Sequence, residues 1–506
     1  MTALPDWIEP LHDADEMRAC DAWAIEQAGV LALDLMELAA VGLARLTARI
    51  VSPDLPIRVI VGAGNNGGDG LAAARLLREE GRNVDVLAVA PLDRLRGDAA
   101  VNLERLPGDP PTPFEPSVLD GSGAVVDAML GTGFSGEPRE PVAGAIAAIN
   151  AQNAPVIACD VPSGVDASTG EVVGGAIRAD ATATFHGPKI GLYVAPGAAY
   201  AGEVEVVEIG IPRGAPAPSQ AGLISDSTLK LFPRRRRYGS KFDSGVVAIA
   251  GGSRGLTGAP TMAALAAARA GAGYVQLGVP KSVEQTLELR LLEQMTRGLP
   301  EIDGAHSADG VEVFLELAAR AGAVVLGPGL GRSEGAFAFA RRVAAAVERP
   351  LLIDADGLNA HVGVLEDLRR RSAPTVLTPH SGELGRLLER EAADIDAHRL
   401  VCAREAAERS GAVVLLKGDD TIVAMPGGPA AISPGATPAL ATAGTGDVLS
   451  GVIGTLLAKG LDAFEAASLG TLAHARAGRT AAARHGADHV IAGDVIDALP
   501  DGFASR

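Results

Sequence analysis

The sequence predicts an α/β fold built from two doubly wound domains, and three observations support this. Apolar runs typical of strands alternate with helix-like runs, as in IRVIVGAG (57–64) followed by GLAAARLLREEG (70–81), and such alternation is typical of a parallel sheet with helices on both faces. With 506 residues, the chain is long enough for two or three domains. Its 47% hydrophobic and 21% charged residues indicate a folded protein.

Helices are predicted at the start of the first half of the chain, and strands are predicted in both halves. Apolar residues at three- and four-residue steps predict helices within residues 14–50, and a further helix is expected after Pro138. The strands predicted in the first half are IRVIVGAG, NVDVLAVA, GAVVDAML, PVIACDVPSG and ATATFHG. Those of the second half are GVVAIAGG, GYVQLGV, AVVLGPG, LLIDAD, TVLTPH and AVVLLKG.

A stretch rich in proline, small residues and arginine separates the halves, from Ile211 to Asp243. We expect the domain boundary inside it, near residue 220, so the predicted domains are 1–218 and 219–506.

Charge and composition argue against several partners. The formal net charge of −18 repels phosphate backbones, so no nucleic acid partner is expected, and Arg234–Arg237 is interpreted as a solvated linker. Three cysteines without a CxxC pair, and no histidine cluster at zinc spacing, predict reduced core thiols in a cytoplasmic protein. Neither a signal peptide nor an apolar run of about 18 residues is found, so no membrane partner is expected. A homo-oligomer is expected.

The first strand is followed by glycines at the GxGxxG spacing of a dinucleotide fingerprint, at Gly62, Gly64 and Gly67. A dehydrogenase fingerprint also has an acidic residue that closes the second strand and binds a ribose. Here Asp85 lies inside that strand rather than at its end. The pattern therefore favours a bound dinucleotide but argues against nicotinamide-dependent redox chemistry.

Polar residues follow three strands of the first half, in GNNGGDG (64–70), DAMLGTGFSGE (127–137) and DVPSGVD (160–166). Two separate glycine turns suit a ligand with a pyrophosphate. Asn66, Asp127 and Ser163 combine one carboxylate with neutral oxygens, which suits a monovalent cation better than zinc. The alternative is that Asp127 and Asp160 only cap turns.

In the second half, AGTGDVLSG begins an apolar helix at Ala443. Its first amides would stabilise charge on a phosphoryl group, and Asp447 could take a proton from a substrate hydroxyl. The alternative is that Asp447 only complements the helix dipole. LKGDDT (416–421) could bind a nucleotide, and TPHSGE (378–383) offers His380 and Glu383, although a lone histidine is more often structural.

Taken in order, these motifs closely resemble those of bifunctional NAD(P)H-hydrate repair enzymes. The resemblance rests on GAGNNGGDG, DAMLGTGFSGE, DVPSGVDASTGEV, TFHGPKIGL, GGSRGLTGAP, GAGYV, GPGLG, DADGLN, TPHSGE, LKG and AGTGDVLSG. It extends from about Leu11 to Leu499. It implies a Rossmann-like epimerase domain for the R and S forms of hydrated NAD(P)H, called NAD(P)HX. It also implies a ribokinase-like domain that dehydrates the S form with ADP or ATP.

For the epimerase half, the resemblance implies that Asp160 is the acid/base and that potassium binds Asn66, Asp127 and Ser163. The implied substrate contacts are Asn65, Asn66, Gly67, Gly68, Asp69, Gly131, Thr132, Gly133, Phe134, Ser135, Gly136, Glu137 and Asp160.

For the dehydratase half, the resemblance implies that Asp447 activates the hydroxyl and that magnesium bridges the nucleotide phosphates. The implied hydrate contacts are Ala259, Gly329, His380 and Asp447, and the implied nucleotide contacts are Lys417, Gly418, Asp419, Asp420, Thr421 and Gly446.

The sequence departs from the family pattern at a few positions. Leu38 and Ala40 stand where an Asn and a Gly are usual, SKF (240–242) replaces an HKG-like segment, and Gly357 stands where alanine is frequent. Two other functions stay open on the sequence alone. One is a ribokinase-type small-molecule kinase fused to a dinucleotide-binding domain, and the other is a non-catalytic dinucleotide sensor.

Overall fold

A computed structural model describes residues 4–504 and forms two compact units. Pro10–Gly222 make up the first unit, and the second begins at Leu223 and also contains Pro5–Glu9. Pro5–Glu9, which the sequence assigns to the first domain, therefore pack with the second unit. Within strands β1 (Ile8–Leu11) and β9 (Ala221–Ile224) the chain passes from one unit to the other.

The first unit contains a seven-stranded sheet in the order β4-β3-β2-β5-β6-β7-β8, and its pairings are parallel. Its strands are β2 (Ile57–Val61), β3 (Val84–Ala88), β4 (Thr112–Pro113), β5 (Ala124–Ala128), β6 (Val156–Cys159), β7 (Ala181–Phe185) and β8 (Glu203–Val207). Its helices are α1 (Ala14–Glu26), α2 (Ala32–Ile50), α3 (Asn65–Glu79), α4 (Gly97–Glu104) and α5 (Val142–Asn150).

Helices cover both faces of this sheet. Val59 and Val61 pack into one apolar cluster with α2 and α3, whereas Ile60 packs into another with Ile146 and Ile149 of α5. Side chains alternate between faces along a strand, so a run of three apolar residues supplies both clusters. The prediction of a doubly wound α/β unit is confirmed.

The glycine-rich stretch after β2 is helical, whereas the sequence suggested a turn. Helix α3 begins at Asn65, directly after Gly64. A Cβ at Gly62 would overlap the Met129 carbonyl oxygen, and one at Gly67 would overlap that of Gly62. Two of the fingerprint glycines are therefore required for close packing of the strand and helix, which propensity alone does not reveal.

The second unit is built on an eleven-stranded sheet in the order β1-β9-β20-β19-β18-β17-β16-β15-β10-β11-β12. Its remaining strands are β10 (Val246–Ala250), β11 (Tyr274–Pro280), β12 (Met295–Leu299), β15 (Ala323–Leu326), β16 (Leu351–Ile353), β17 (Thr375–Leu377), β18 (Val413–Leu416), β19 (Ile422–Ala424) and β20 (Ala430–Ile432). A separate hairpin is formed by β13 (Glu301–Ile302) and β14 (Ala305–His306).

The helices of the second unit, in chain order, are α6 (Gly258–Arg269), α7 (Lys281–Glu288), α8 (Val311–Ala318), α9 (Glu334–Ala346), α10 (Asp356–Asn359), α11 (Ser381–Leu388), α12 (Ala392–Ala397), α13 (Arg399–Ser410), α14 (Thr445–Ala458), α15 (Ala463–His485) and α16 (Ala492–Gly502).

All six strands predicted for the second unit, β10, β11, β15, β16, β17 and β18, are present, and they pair in parallel with one another and with β12. Strands β19 and β20 were not predicted and pair antiparallel. They follow β18 through short loops, which antiparallel neighbours allow and parallel neighbours do not. No helix within residues 4–504 combines the length and apolarity that would let it cross a membrane.

Helices α6 and α14 pack closely, which makes Gly451 a position where added volume is destabilising. A Cβ there would overlap the Ala263 carbonyl oxygen. We expect Gly451→Ala to lower the free energy of unfolding of the second unit by about 1–3 kcal/mol. Urea denaturation in a Trp23→Phe background measures this, because Trp7 packs against Phe464 within the second unit and becomes its fluorescent reporter.

Gly493→Ala is the matched control. Gly493 is exposed in α16, and a Cβ there would approach Ile491 Cδ1 no closer than 3.9 Å. Alanine favours helix over glycine by up to about 1 kcal/mol. Equal destabilisation by the two substitutions would contradict the packing argument.

Candidate active sites

A cavity of about 710 Å³ opens in the first unit beyond the carboxyl ends of β2, β5 and β6. The carboxyl ends of neighbouring strands lie at the same edge of the sheet because the strands are parallel. Eight of the predicted substrate contacts line the cavity: Asn65, Asn66, Asp69, Gly131, Thr132, Gly133, Phe134 and Asp160.

Asp160 lies directly after β6 and pairs with a buried lysine. Its Oδ1 lies 2.7 Å from Lys189 Nζ, and Lys189 is only 1% exposed. The ammonium also donates to the Phe185 carbonyl oxygen at 2.6 Å, while Thr132 donates to Asp160 Oδ2. Asp160 has a φ of 66°, a strained value that non-glycine residues adopt mainly where surrounding contacts enforce it.

The pKa values of two carboxyl groups on this cavity are shifted in opposite directions. Burial alone raises the pKa of Asp160, but Lys189 and Thr132 outweigh it, and the pKa lies below its usual value. For Asp69, burial and the nearby charge of Asp160 raise the pKa well above its usual value. Two carboxyl groups whose pKa values are moved apart in this way can divide the roles of proton acceptor and proton donor.

The three predicted potassium ligands lie close together beneath the loop 127–131. Ser163 Oγ donates to Asp127 Oδ1 at 2.6 Å, and Ser163 N donates to Asp127 Oδ2 at 2.8 Å. Asn66 Nδ2 donates to the Leu130 carbonyl oxygen at 2.8 Å, which accepts from Ser163 as well. Burial raises the pKa of Asp127 to about 6, despite its hydrogen bonds from Ser163 and Met129.

Other predicted contacts lie away from the cavity wall. Gly67 and Gly68 are buried where α3 packs on β2 and α4, and their close neighbours leave no space for a Cβ. Ser135, Gly136 and Glu137 lie on an exposed loop. Leu38, the departure from the family pattern, is not a lining residue either.

The candidate site of the second unit lies at the start of α14. Gly444, with a φ of 94°, precedes the helix, and no side chain caps its first amides. Asp447 is in the first turn. Burial and the charge of Asp354 raise the pKa of Asp447 to about 7, although Lys417 opposes the shift. Such a carboxyl is suited to exchanging protons near neutral pH.

Lys417 is held beside this helix by a buried carboxylate. Lys417 Nζ lies 2.6 Å from Asp354 Oδ1, and Ser450 Oγ donates to Asp354 Oδ2 at 2.6 Å. Burial alone would lower the pKa of Lys417, but Asp354 and Glu383 outweigh it and the pKa is raised. A Cβ at Gly446 would lie 3.3 Å from Lys417 Nζ, so the ammonium faces the first turn of α14.

A cavity of about 390 Å³ adjoins Lys417. Five of the predicted nucleotide contacts line it: Lys417, Gly418, Asp419, Thr421 and Gly446. Asp420 does not, because its carboxylate pairs with buried Arg399 at 3.0 Å. The opposite wall includes His474 of α15, whose Nε2 is buried without a hydrogen-bond partner.

Two of the predicted hydrate contacts are adjacent, because a Cβ at Gly329 would lie 3.3 Å from the Cβ of Ala259, in the first turn of α6. His380 caps α11, where its Nδ1 accepts from the amides of Gly382 and Glu383. Its side chain is still 56% exposed, so the structural role does not prevent contact with a ligand.

Sequence reasoning did not assign the groups that hold the catalytic candidates. Lys189 stands in the quoted motif TFHGPKIGL, where a lysine among apolar residues was the available signal. Asp354 belongs to the quoted LLIDAD but was given no role. Ser450 and His474 lie on apolar helices, and nothing in their local sequence distinguishes them from core residues.

Fold and sites together define an enzyme with two chemical centres, one with acid/base carboxyls and one with the features of phosphoryl transfer. The comparisons agree with this class. The NAD(P)H-hydrate dehydratase family matches residues 247–501, and the family described as YjeF-related protein N-terminus matches residues 32–191.

The bifunctional NAD(P)H-hydrate repair enzyme Nnr of Salinibacter ruber is 40% identical over 98% of this chain and 96% of its own length. The enzyme of the same name from Moorella thermoacetica is 41% identical over 88% of this chain and 86% of its own. This chain belongs to the bifunctional NAD(P)H-hydrate repair enzymes. A Bacillus subtilis ADP/ATP-dependent NAD(P)H-hydrate dehydratase, crystallised with ATP and Mg²⁺, is similar with a TM-score of 0.47 and 26% identity over 55% of this chain and 96% of its own.

The raised pKa of Asp447 predicts that the free energy of unfolding depends on pH. Because the folded-state pKa of about 7 exceeds the usual 3.8, folding binds a proton and the wild type loses stability as pH rises from about 4 to about 7. Asp447→Asn removes this loss. We expect its stability advantage over the wild type to be larger at pH 8 than at pH 5 by more than about 1 kcal/mol.

Urea denaturation of the Trp23→Phe protein at both pH values measures this difference. Asp497→Asn is the control, because the Asp497 side chain is 71% exposed and its loss should leave the pH dependence unchanged. An advantage of Asp447→Asn that does not change with pH would contradict the assignment.

Proposed function

We propose that the first unit of this chain interconverts the R and S forms of NAD(P)HX and that the second unit dehydrates the S form with ADP or ATP. The observation that carries the proposal is the opposite shift of the pKa values of the two candidate aspartates. Lys189 lowers the pKa of Asp160, whereas burial and the charge of Asp354 raise the pKa of Asp447 to about 7, although Lys417 lies nearby.

Epimerisation requires that the hydroxyl-bearing carbon at ring position 6 lose and regain one of its polar bonds. Breakage of the C6–N1 ring bond meets this requirement: Asp160, as a carboxylate, takes the proton of the hydroxyl, whose oxygen becomes a carbonyl, while the C6–N1 electron pair stays on N1 and N1 is protonated. Asp69, whose pKa is raised, and the ammonium of Lys189 are the groups on the same cavity wall that can supply that proton. When N1 attacks the other face of the carbonyl, N1 returns its proton to the donor and the oxygen regains the proton held by Asp160.

Potassium fits the oxygens of Asn66, Asp127 and Ser163. Asn66 Nδ2 is used by the Leu130 carbonyl, which leaves its Oδ1 for a cation, and one carboxylate with neutral oxygens suits a weakly held ion. When bound, the ion would add positive charge beside the loop 127–131, which forms part of the cavity wall. Asp127 and Ser163 hold this loop in place through their hydrogen bonds.

Dehydration is difficult because hydroxide is a poor leaving group. We propose that Asp447 takes the proton of the hydroxyl at position 6 while its oxygen attacks the terminal phosphoryl group of the nucleotide. Lys417 and the amides at the start of α14 stabilise the charge on that group. Phosphate then leaves with the oxygen, and loss of a proton from the neighbouring carbon restores the ring double bond. Magnesium would bind mainly through the nucleotide phosphates.

Two variants of the full chain separate the two activities. Asp160→Asn should slow conversion of the R form by at least about 100-fold, because it removes a positioned base, and should leave ATP-dependent dehydration of the S form intact. Asp447→Asn should show the reverse. Recovery of NADH absorbance from the separated R and S forms, with chromatography of the epimers, measures both rates.

In each variant, the unchanged activity of the unit without the substitution shows that this unit is folded. Persistence of R-form conversion in Asp160→Asn would overturn the epimerase assignment. A stable phosphorylated product, in place of one released phosphate per NADH recovered, would indicate the kinase alternative. Nucleotide binding without turnover by the wild type would indicate a sensor.

The potassium assignment predicts an ion-specific rate. We expect R-form conversion by the wild type to be faster in potassium chloride than in tetramethylammonium chloride at equal ionic strength, and Asp127→Asn to lose this difference. Asp166→Asn is the matched control, because Asp166 organises a turn through the amides of Ser168 and Thr169. Equal rates of the wild type in the two salts would contradict a potassium site.

A further inference from the structure

Two histidines and a cysteine come together in the first unit, outside the cavity wall. His12 follows β1, Cys20 lies in α1 and His186 follows β7. One ligating atom from each of them lies within 4.8 Å of the other two. The sequence shows no histidine cluster at zinc spacing because these three residues come from distant segments, which meet only in the folded structure.

Both imidazoles carry a buried nitrogen that lacks a hydrogen-bond partner. His12 is 7% exposed, and neither its Nδ1 nor the Nδ1 of His186 is hydrogen bonded. Leaving a buried polar atom unpaired costs about 1–3 kcal/mol. Cys20 Sγ donates to the Pro216 carbonyl oxygen at 3.3 Å, so its sulfur lone pairs remain available.

Charged groups of both signs surround the cluster. Acidic groups act more strongly than the one nearby lysine on Cys20 and His186, which favours a cation there, whereas the lysine acts more strongly than Asp13 on His12. These charged groups are Asp13, Glu16, Asp21, Glu208 and the lysine, Lys189.

We propose that His12, Cys20 and His186 form a zinc site with two imidazole nitrogens and one thiolate. The Cys20 thiol proton is released to solvent when the Zn–S bond forms, and water completes four-coordination. Adjacent ligands of tetrahedral zinc lie about 3.5 Å apart, given Zn–N and Zn–S bonds of about 2.0–2.3 Å. Binding therefore requires a small inward rotation of the three side chains.

The site would cross-link two segments that meet beside Asp160. His12 N donates to the Pro188 carbonyl oxygen at 2.9 Å, and Ile190 N donates to that of His12 at 3.0 Å. Lys189 lies between these two residues. Zinc would thus tie the segment before α1 to the loop that carries the lysine partner of Asp160, and would stabilise the folded first unit.

Titration of the tag-free, chelator-treated full chain with Co²⁺ tests the proposal. We expect one equivalent to bind with a thiolate-to-cobalt absorption band, and Zn²⁺ to displace it. Cys20→Ser should abolish the band. Asparagine tolerates the left-handed backbone of residue 186 (φ 62°). His186→Asn should weaken cobalt binding by at least about 10–100-fold, which is the loss typical when an outer-shell partner of a metal ligand is removed.

Cys402→Ser is the matched control, because Cys402 is a buried free thiol of the second unit. Zn²⁺ should raise the melting temperature of the first unit in the wild type and in Cys402→Ser, but not in Cys20→Ser or His186→Asn. Trp23 fluorescence in a Trp7→Phe background reports this melting. Absence of stoichiometric binding, or a thiolate band that persists in Cys20→Ser, would overturn the proposal. If Cys20→Ser fails to fold, His186→Asn decides.

Discussion

Parallel pairing of the central strands is the constraint on which both active sites depend. In a parallel sheet the carboxyl ends of neighbouring strands share one edge, so short loops from distant parts of the chain meet there. Asp127, Asp160 and Lys189 are brought together in this way in the first unit, and Asp354 and Lys417 in the second. The glycines of the first strand–helix turn serve this arrangement through close packing, since a Cβ at Gly62 or Gly67 would overlap backbone oxygens.

Both sites contain a lysine that pairs with a carboxylate. Lys189 is 1% exposed and Lys417 is 22% exposed, and a carboxylate within 2.7 Å of each ammonium offsets the cost of removing the charge from water. A second carboxyl lies near each pair. Burial raises the pKa values of Asp69 and Asp447, and the nearby charges of Asp160 and Asp354 raise them further. Each site therefore combines a lysine–carboxylate pair with a second carboxyl whose raised pKa suits proton exchange.

The cluster of His12, Cys20 and His186 lies beside the first site and would help to hold it in place. Its members belong to the segments that flank Lys189 in space, and both histidines carry a buried nitrogen without a hydrogen-bond partner. A proton-transfer pair such as Asp160 and Lys189 requires a rigid surround, because small displacements change both the hydrogen bond and the pKa values. A metal cross-link is one means of supplying that rigidity.

Local sequence patterns determined the alternating strands and helices, the two-unit organisation of the enzyme and some of the residues that line its cavities, because hydrophobic period and strand-end glycines are properties of short segments. Only the tertiary structure decided which charges are paired. Lys189 and Ser450 lie far along the chain from Asp160 and Asp354, so their hydrogen bonds depend on strand order and register rather than on spacing. The same holds for Asp420, which binds Arg399 instead of lining the nucleotide cavity. Protonation states follow from burial and long-range charge, and these exist only once the chain has folded.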